Sequence, residues 1–542
     1  MMILAELLIE VLLQRNVGHV FGVPGDFVLS FYKALEDSDL EIINTCDEQG
    51  AGFAADAYAR MHGLSCLCVT YGVGAYKVVN AIAEAYAEKS PVVLISGAPG
   101  LFEREQCEMI HHKSVAYDTQ FKIFSELTCY SAVLDNPETN AQAILSAIYH
   151  AMLYKRPVYL ECPRDMFLSK IKRPGSMTFK RPKSKTVSLL AAKKALYRRL
   201  DSAKKSAILL GTDIQRYSFQ DQVLAFATRL GLPIFSTIMA KSVISEQHPL
   251  FCGVYQGHLA DEEIADDLES CDCILSLGAW MSDVNLGIYS SKLNQKQLVE
   301  FNSDSLVIDG HCYDTVLLED SLSLLSDYQP KTPVFESSFS KPLTSRGFVA
   351  EEGVEMTTQR LFACLSQFID GNYCVLCDVG DVLFSSLSMP MPERSQFLSP
   401  AYYTSMGFAV PAALAAGALY PNKRLLVLVG DGAFQMTGME LSTLQRFGMA
   451  PIVVVLNNQG YGTERPIQDG KFNDILNWDY HRLPELLGCG QGFLVKDEAR
   501  LVHALAMADI STDSFTILNV SVPKHDHSPL LKQLAAGLHD QL

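Results

Sequence analysis

Residues 423–462 read KRLLVLVGDGAFQMTGMELSTLQRFGMAPIVVVLNNQGYG, and they narrow the fold more than any other part of the chain. LLVLVG is an unbroken apolar run, the pattern of a strand covered on both faces. PIVVVL is a second such run, and MELSTLQRFG between them has the spacing of a crossover helix. Two parallel strands joined this way form a right-handed unit with their carboxyl ends side by side. Asp431 ends the first run between Gly430 and Gly432, and Asn457-Asn458 end the second. Asp431 and Asn458 then face the crevice where open α/β sheets bind ligands. One carboxylate, one amide oxygen and a backbone carbonyl such as that of Gly460 suit a hard cation. Diphosphate oxygens and water would complete the octahedron expected of Mg²⁺. Either dipeptide alone reads as a turn, whereas the pair in one β-α-β unit is much more specific.

The same alternation of apolar runs and helical patterns recurs along the chain. VGHVFGVPG, LEIINTCDE, LSCLCVTYG and PVVLISGAPG read as strands, with helical patterns between them. A second block holds SAILLG, LPIFST, CDCILSLG and LVEFNSD. Stretches 166–190 and 328–352, rich in Pro, Ser and basic residues, read as linkers. The expected architecture is α/β, with three doubly wound parallel-sheet domains at 1–170, 190–328 and 354–542. No repeat is visible in the sequence.

Composition sets limits on function. The formal net charge is −17, which argues against a nucleic-acid partner. No apolar run reaches about 18 residues, so no membrane span is expected. The apolar N-terminus carries Glu6 and Glu10 and no basic segment, unlike a signal peptide. The 14 Cys are scattered, which suggests a reducing, cytoplasmic setting. Cys66/Cys68 and Cys271/Cys273 have strand spacing with both thiols on one face. Cys374-Val-Leu-Cys377 lacks the second ligand pair of a zinc site and reads as packing.

At residues 47–63, DEQGAGFAADAYARMHG, Glu48 heads a stretch of Gly, Ala and aromatic residues. A helix-start carboxylate beside the dipole is the plain reading. The small residues also let a ligand approach a poorly solvated carboxylate. YGVGAYK at 71–77 offers only GxG after a strand, a weak nicotinamide signal.

GDG followed 27 residues later by NN resembles the diphosphate-binding motif of thiamin diphosphate (ThDP) enzymes. GVPGD (22–26), the Glu48 stretch, TYGVGA (70–75), AEKSPVVLISGAPG (87–100), His111-His112 and GYGTE (460–464) resemble the 2-keto acid decarboxylases over nearly the whole chain. The resemblance implies pyrimidine-binding, central and diphosphate-binding domains. It implies ThDP and Mg²⁺ as cofactors, and a 2-keto acid cleaved to an aldehyde and carbon dioxide. It also implies a homodimer with shared active sites, usually within a homotetramer.

By that resemblance Glu48 contacts N1′ of the aminopyrimidine, and Asp26, His111, His112 and Glu464 handle protons. Asp26 could equally be a helix N-cap, with Phe27 opening the helix. Thr404 matches the residue whose carbonyl meets the 4′-amino group, and Met406 the apolar wedge between the rings. Small-substrate pyruvate decarboxylases carry Trp where this chain has Leu383, and Ile where it has Thr463 after Gly462. Lost bulk should widen the pocket, with Ile467 on its remaining wall, and favour longer, branched or aromatic keto acids. The alternatives are a carboligase of the acetohydroxyacid synthase type, which lacks the His pair, and a non-catalytic ThDP-binding protein.

Overall fold

Six apolar runs of the first block form a wholly parallel sheet: β1 (His19–Val23), β2 (Glu41–Asn44), β3 (Ser65–Val69), β4 (Val92–Ala98), β5 (Ser131–Val133) and β6 (Val158–Pro163). Their order is β2-β1-β3-β4-β6-β5. The computed structural model describes residues 1–106, 109–174, 181–259, 261–330, 339 and 347–539.

The second block carries β7 (Ser206–Leu210), β8 (Ile234–Ser236), β9 (Phe251–Val254), β10 (Cys273–Leu277), β11 (Leu298–Phe301), β12 (Ser305–Ile308) and β13 (His311–Asp314), ordered β9-β8-β7-β10-β11-β12-β13. The third carries β14 (Tyr373–Cys377), β15 (Gln396–Leu398), β16 (Arg424–Gly430), β17 (Ile452–Asn457), β18 (Gln491–Val495) and β19 (Thr516–Ser521), again all parallel, ordered β15-β14-β16-β17-β19-β18. The first and third sheets therefore share one topology, a repeat that the sequence does not reveal. In each, the order reverses beside the first strand of the block, which opens a crevice at the strand carboxyl ends.

The fold class is α/β in all three domains, but the sheets are not all purely parallel. β11, β12 and β13 form an antiparallel meander. Their connections are too short for a crossover, and Asp309-Gly310 take left-handed φ of 50° and 77° in a tight hairpin. The linker reading of 166–190 also needs correction. Lys170–Ile171 pairs antiparallel with Met2–Ile3, Met166 and Phe167 are buried, and a helix spans Thr186–Ser202. Apolar side chains scattered among the basic ones anchor this stretch; residues 175–180 lie outside the described residues. So does most of the second linker.

The crossover between β16 and β17 is two helices, Asp431–Thr437 and Glu440–Arg446, so helix starts at Asp431 itself. Cys374 and Cys377 stand three apart on β14 and join different apolar clusters on its two faces. They cannot share a ligand, and burial pushes the Cys374 thiol up to about 12. Cys271 precedes β10 and packs in a different cluster from Cys273, so that pair does not share a face.

The helices Glu48–His62 and Ala409–Leu419 pack on each other, and both are rich in Ala, which allows close approach. One apolar core thus spans the first and third domains. No described helix is long and apolar enough to cross a membrane.

Candidate active site

β16 and β17 run in parallel register with Gly430 opposite Leu456, so Asp431 and Asn458 emerge side by side. Asp431 is 1% exposed; its Oδ1 accepts from Gly432 N at 2.8 Å and its Oδ2 from Gly460 N at 3.0 Å. Burial pushes its carboxyl up to about 6 despite those bonds. Asn458 Oδ1 is buried with no hydrogen-bond partner among the described residues. An orphaned amide oxygen beside a carboxylate that burial disfavours fits a cation ligand set, because buried polar atoms normally find partners. Gly462 lies so close to the Asn458 amide that any Cβ would collide with it. Its smallness serves this backbone approach, which corrects the expectation that Gly462 widens a substrate pocket. Arg465 is buried under the loop, bonding Asp474 Oδ1 at 2.8 Å and the Gln459 carbonyl at 3.0 Å.

The segment Thr404–Met406 leads into Gly407, which is held between the end of β14 and the helix that starts at Asp431. Asp378, at the end of β14, accepts from Gly407 N at 3.0 Å and Ala409 N at 2.9 Å, while Thr437 Oγ1 donates to the Gly407 carbonyl at 2.6 Å. Asp378 is fully buried, which lifts its carboxyl to about 6. Thr404 is exposed in a left-handed conformation, φ 57°, and Met406 is half-buried against the shared core. From the first domain, Glu88 accepts from Tyr402 N and Tyr403 N at 2.8 Å, and Asn80 donates to Ser405 Oγ at 2.7 Å. Sequence reasoning missed Asp378 and Glu88. The available signal for Asp378 was an acidic residue ending an apolar strand, as at Asp431.

The first domain gathers a second group. Asp26 follows β1 through Pro24-Gly25, where Gly25 packs on Thr70 too closely for a larger residue. Asp26 Oδ2 lies 2.9 Å from His111 Nε2 and 3.3 Å from Arg164 Nη1. Ligand atoms of Asp26, His111 and His112 all lie within 4.8 Å of one another. Phe27 stacks on His111, and His112 takes a left-handed φ of 67° with its Nδ1 buried and without a hydrogen-bond partner among the described residues. The helix here begins at Leu29 with Val28 as N-cap, so Asp26 is not the cap and Phe27 does not open the helix. Glu48 does begin its helix, with Asp47 as N-cap accepting from Gln49 N at 2.8 Å. Glu48 is 8% exposed, but its surroundings are not purely apolar. Its Oε2 lies 3.0 Å from Lys77 Nζ, a partner the sequence reading did not identify.

The remaining expected residues divide. Thr463 Oγ1 would lie 3.2 Å from a Cβ placed on Gly380, so these two are neighbours, and Ile467 close in sequence is half-buried. Leu383 is 1% exposed and packs inside the core of the third domain. Glu464 is exposed, and among the described residues its carboxylate has no hydrogen-bond or ion-pair partner. The described contacts do not join Glu464 to the Asp26–His111–His112 group.

Three parts of the chain match one protein family. Residues 2–118 match the thiamine pyrophosphate enzyme N-terminal TPP binding domain, 194–326 its central domain, and 378–520 its C-terminal TPP binding domain. The chain is 32% identical over 540 residues to an indole-3-pyruvate decarboxylase of Azospirillum brasilense, covering 98% of each. It is 29% identical over 535 residues to a probable pyruvate decarboxylase of Schizosaccharomyces pombe, covering 96% of this chain and 93% of that one. It is also 29% identical over 532 residues to pyruvate decarboxylase 4 of Arabidopsis thaliana, covering 95% and 88%.

Proposed function

Because the chain belongs to the thiamin diphosphate-dependent 2-keto acid decarboxylases, we propose that it cleaves a keto acid longer than pyruvate, with Mg²⁺ holding the cofactor diphosphate. The observation that carries the metal assignment is the orphaned Asn458 Oδ1 beside buried Asp431 at adjacent strand ends. Asp431, Asn458 and the carbonyl of Gly460 hold the cation, and Gly430 and Gly432 border it. Thr404 offers its carbonyl to the 4′-amino group, and Met406 holds the two rings apart. When bound, ThDP supplies the nucleophilic carbon and the electron sink.

The chain's own groups place the protons. Glu48 exchanges one with the aminopyrimidine. Asp26, His111 and His112, already in mutual contact, pass protons to and from the reacting substrate. The His pair favours aldehyde release over the carboligase reading. Glu464 completes the set from the third domain. Its exposure and lack of partners in the single chain support a homodimer in which each copy's first domain meets the other's third, within a tetramer.

The size preference rests on Thr463 rather than on Leu383 or Gly462. Each additional buried methylene of substrate adds roughly 0.8 kcal/mol. Product analysis with a panel of keto acids should therefore give higher kcat/KM for chains of about six carbons or more than for pyruvate. T463I should move that preference towards pyruvate. Best turnover of pyruvate by the unaltered protein would defeat the size argument, and absence of aldehyde from every keto acid would defeat the decarboxylase reading.

Asp431 also makes a pH prediction for the cofactor-free protein. Its folded pKa is raised, so its contribution favours the folded state at low pH and is lost as pH rises through about 6. A shift from the ordinary value to about 6 corresponds to a few kcal/mol lost by neutral pH. D431N should raise the thermal midpoint of the cofactor-free protein near pH 7.5 and leave it almost unchanged near pH 4. An equal effect at both pH values would mean that the carboxyl is not strained by burial.

A further inference from the structure

Lys77 extends the proposed role of Glu48. It ends the short helix Val73–Lys77 that follows β3, and its ammonium lies 2.6 Å from Asp47 Oδ2 and 3.0 Å from Glu48 Oε2. The lysine is half exposed, but Glu48's side chain is only 11% exposed, so their attraction is screened less than that of a surface pair. The other Glu48 oxygen faces Gly74. A Cβ there would come within 3.1 Å of Oε1, so the absence of a side chain keeps that oxygen open. The two oxygens are thus distinguished: one gripped by a cation, one bordering a residue without a side chain.

We propose that Lys77 is a positioning residue for Glu48, fixing Oε2 so that Oε1 meets N1′ of the cofactor's aminopyrimidine, and stabilising the carboxylate left when the proton moves to the ring. The proposal rests on Glu48 being the N1′ contact. The transfer is balanced: the O–H bond at Oε1 breaks, an N–H bond forms at N1′, and Lys77 keeps its own proton throughout. An adjacent cation favours the carboxylate and so draws the shared proton towards the ring nitrogen. Among the described residues, other charged or titratable groups near Glu48 include Asp47, Tyr32 and Glu440. Asp47 holds the same ammonium, Tyr32 feels Glu48 across the core, and Glu440 accepts from the amides of Cys46 and Asp47. None of these three supplies a cation.

The test is solid-state ¹⁵N NMR of holoenzyme loaded with N1′-labelled ThDP, titrated with pH. In K77M the midpoint of N1′ protonation should fall by about one unit, because the cation opposite the carboxylate is gone. K77R should restore it, and both variants should retain ThDP after gel filtration. E48Q should lower the midpoint further and make it insensitive to K77M. A midpoint unmoved in K77M, with E48Q still shifting it, overturns the role of Lys77 alone. A midpoint unmoved in E48Q overturns the reading of Glu48 on which it rests.

Discussion

D431A should lose all bound ThDP on gel filtration in Mg²⁺ while keeping its fold. Asp431 is the only carboxylate of the proposed ligand set, and Mg²⁺ binds few protein groups, so each one counts. Removing even an outer partner of a metal ligand typically costs about 10–100-fold in affinity, and removing the ligand itself should cost more. The alanine also frees the amides of Gly432 and Gly460, which Asp431 now holds. D431N keeps the volume and separates these effects: it too should release the cofactor, although without metal it should be the more stable protein at neutral pH. Retention of ThDP at full stoichiometry in both variants would remove Asp431 from the metal site.

The second large effect is expected at Glu48. E48Q should fold and bind ThDP, yet exchange the C2 hydrogen of bound cofactor for deuterium about 10²–10⁴ times more slowly. Glutamine fits the same space at the head of the helix, where Asp47 remains the N-cap. What it loses is the capacity to give and take a proton, and a proton transfer by a positioned side chain is typically worth that factor. Quenched-flow exchange read by proton NMR measures it. A wild-type rate would reduce Glu48 to a charge that favours the helix start.

Much of this was legible in the sequence because it is local. An unbroken apolar run ending in a polar residue marks a buried parallel strand and its ligand-facing tip, which locates Asp431 and Asn458. Asp309-Gly310 is a local hairpin signal as well, and the expectation of a doubly wound parallel sheet over 190–328 did not include the antiparallel meander that it closes. What the sequence hid depends on distance. Asp378 and Gly407 are bonded across a strand end and a loop. Glu48 and Lys77 lie on different helices, and no periodicity joins them. Leu383 was assigned to a pocket wall from resemblance, whereas packing turned its side chain into the core.

The core shared by the first and third domains has a consequence for synthesis. The Ala-rich helix Glu48–His62 is packed on by Ala409–Leu419, which lies beyond the entire central domain. At roughly 5–20 residues per second, a ribosome delivers the covering helix on the order of tens of seconds after the helix it covers. During that interval the nascent first domain carries a bare apolar surface, with Arg60 and its buried acidic partners on the same helix and its neighbour lacking the Ser399 carbonyl and the Tyr402–Tyr403 amides that later join them. Vectorial folding can therefore start at the first sheet but cannot finish there, and the nascent chain must be shielded from its neighbours until the third domain emerges.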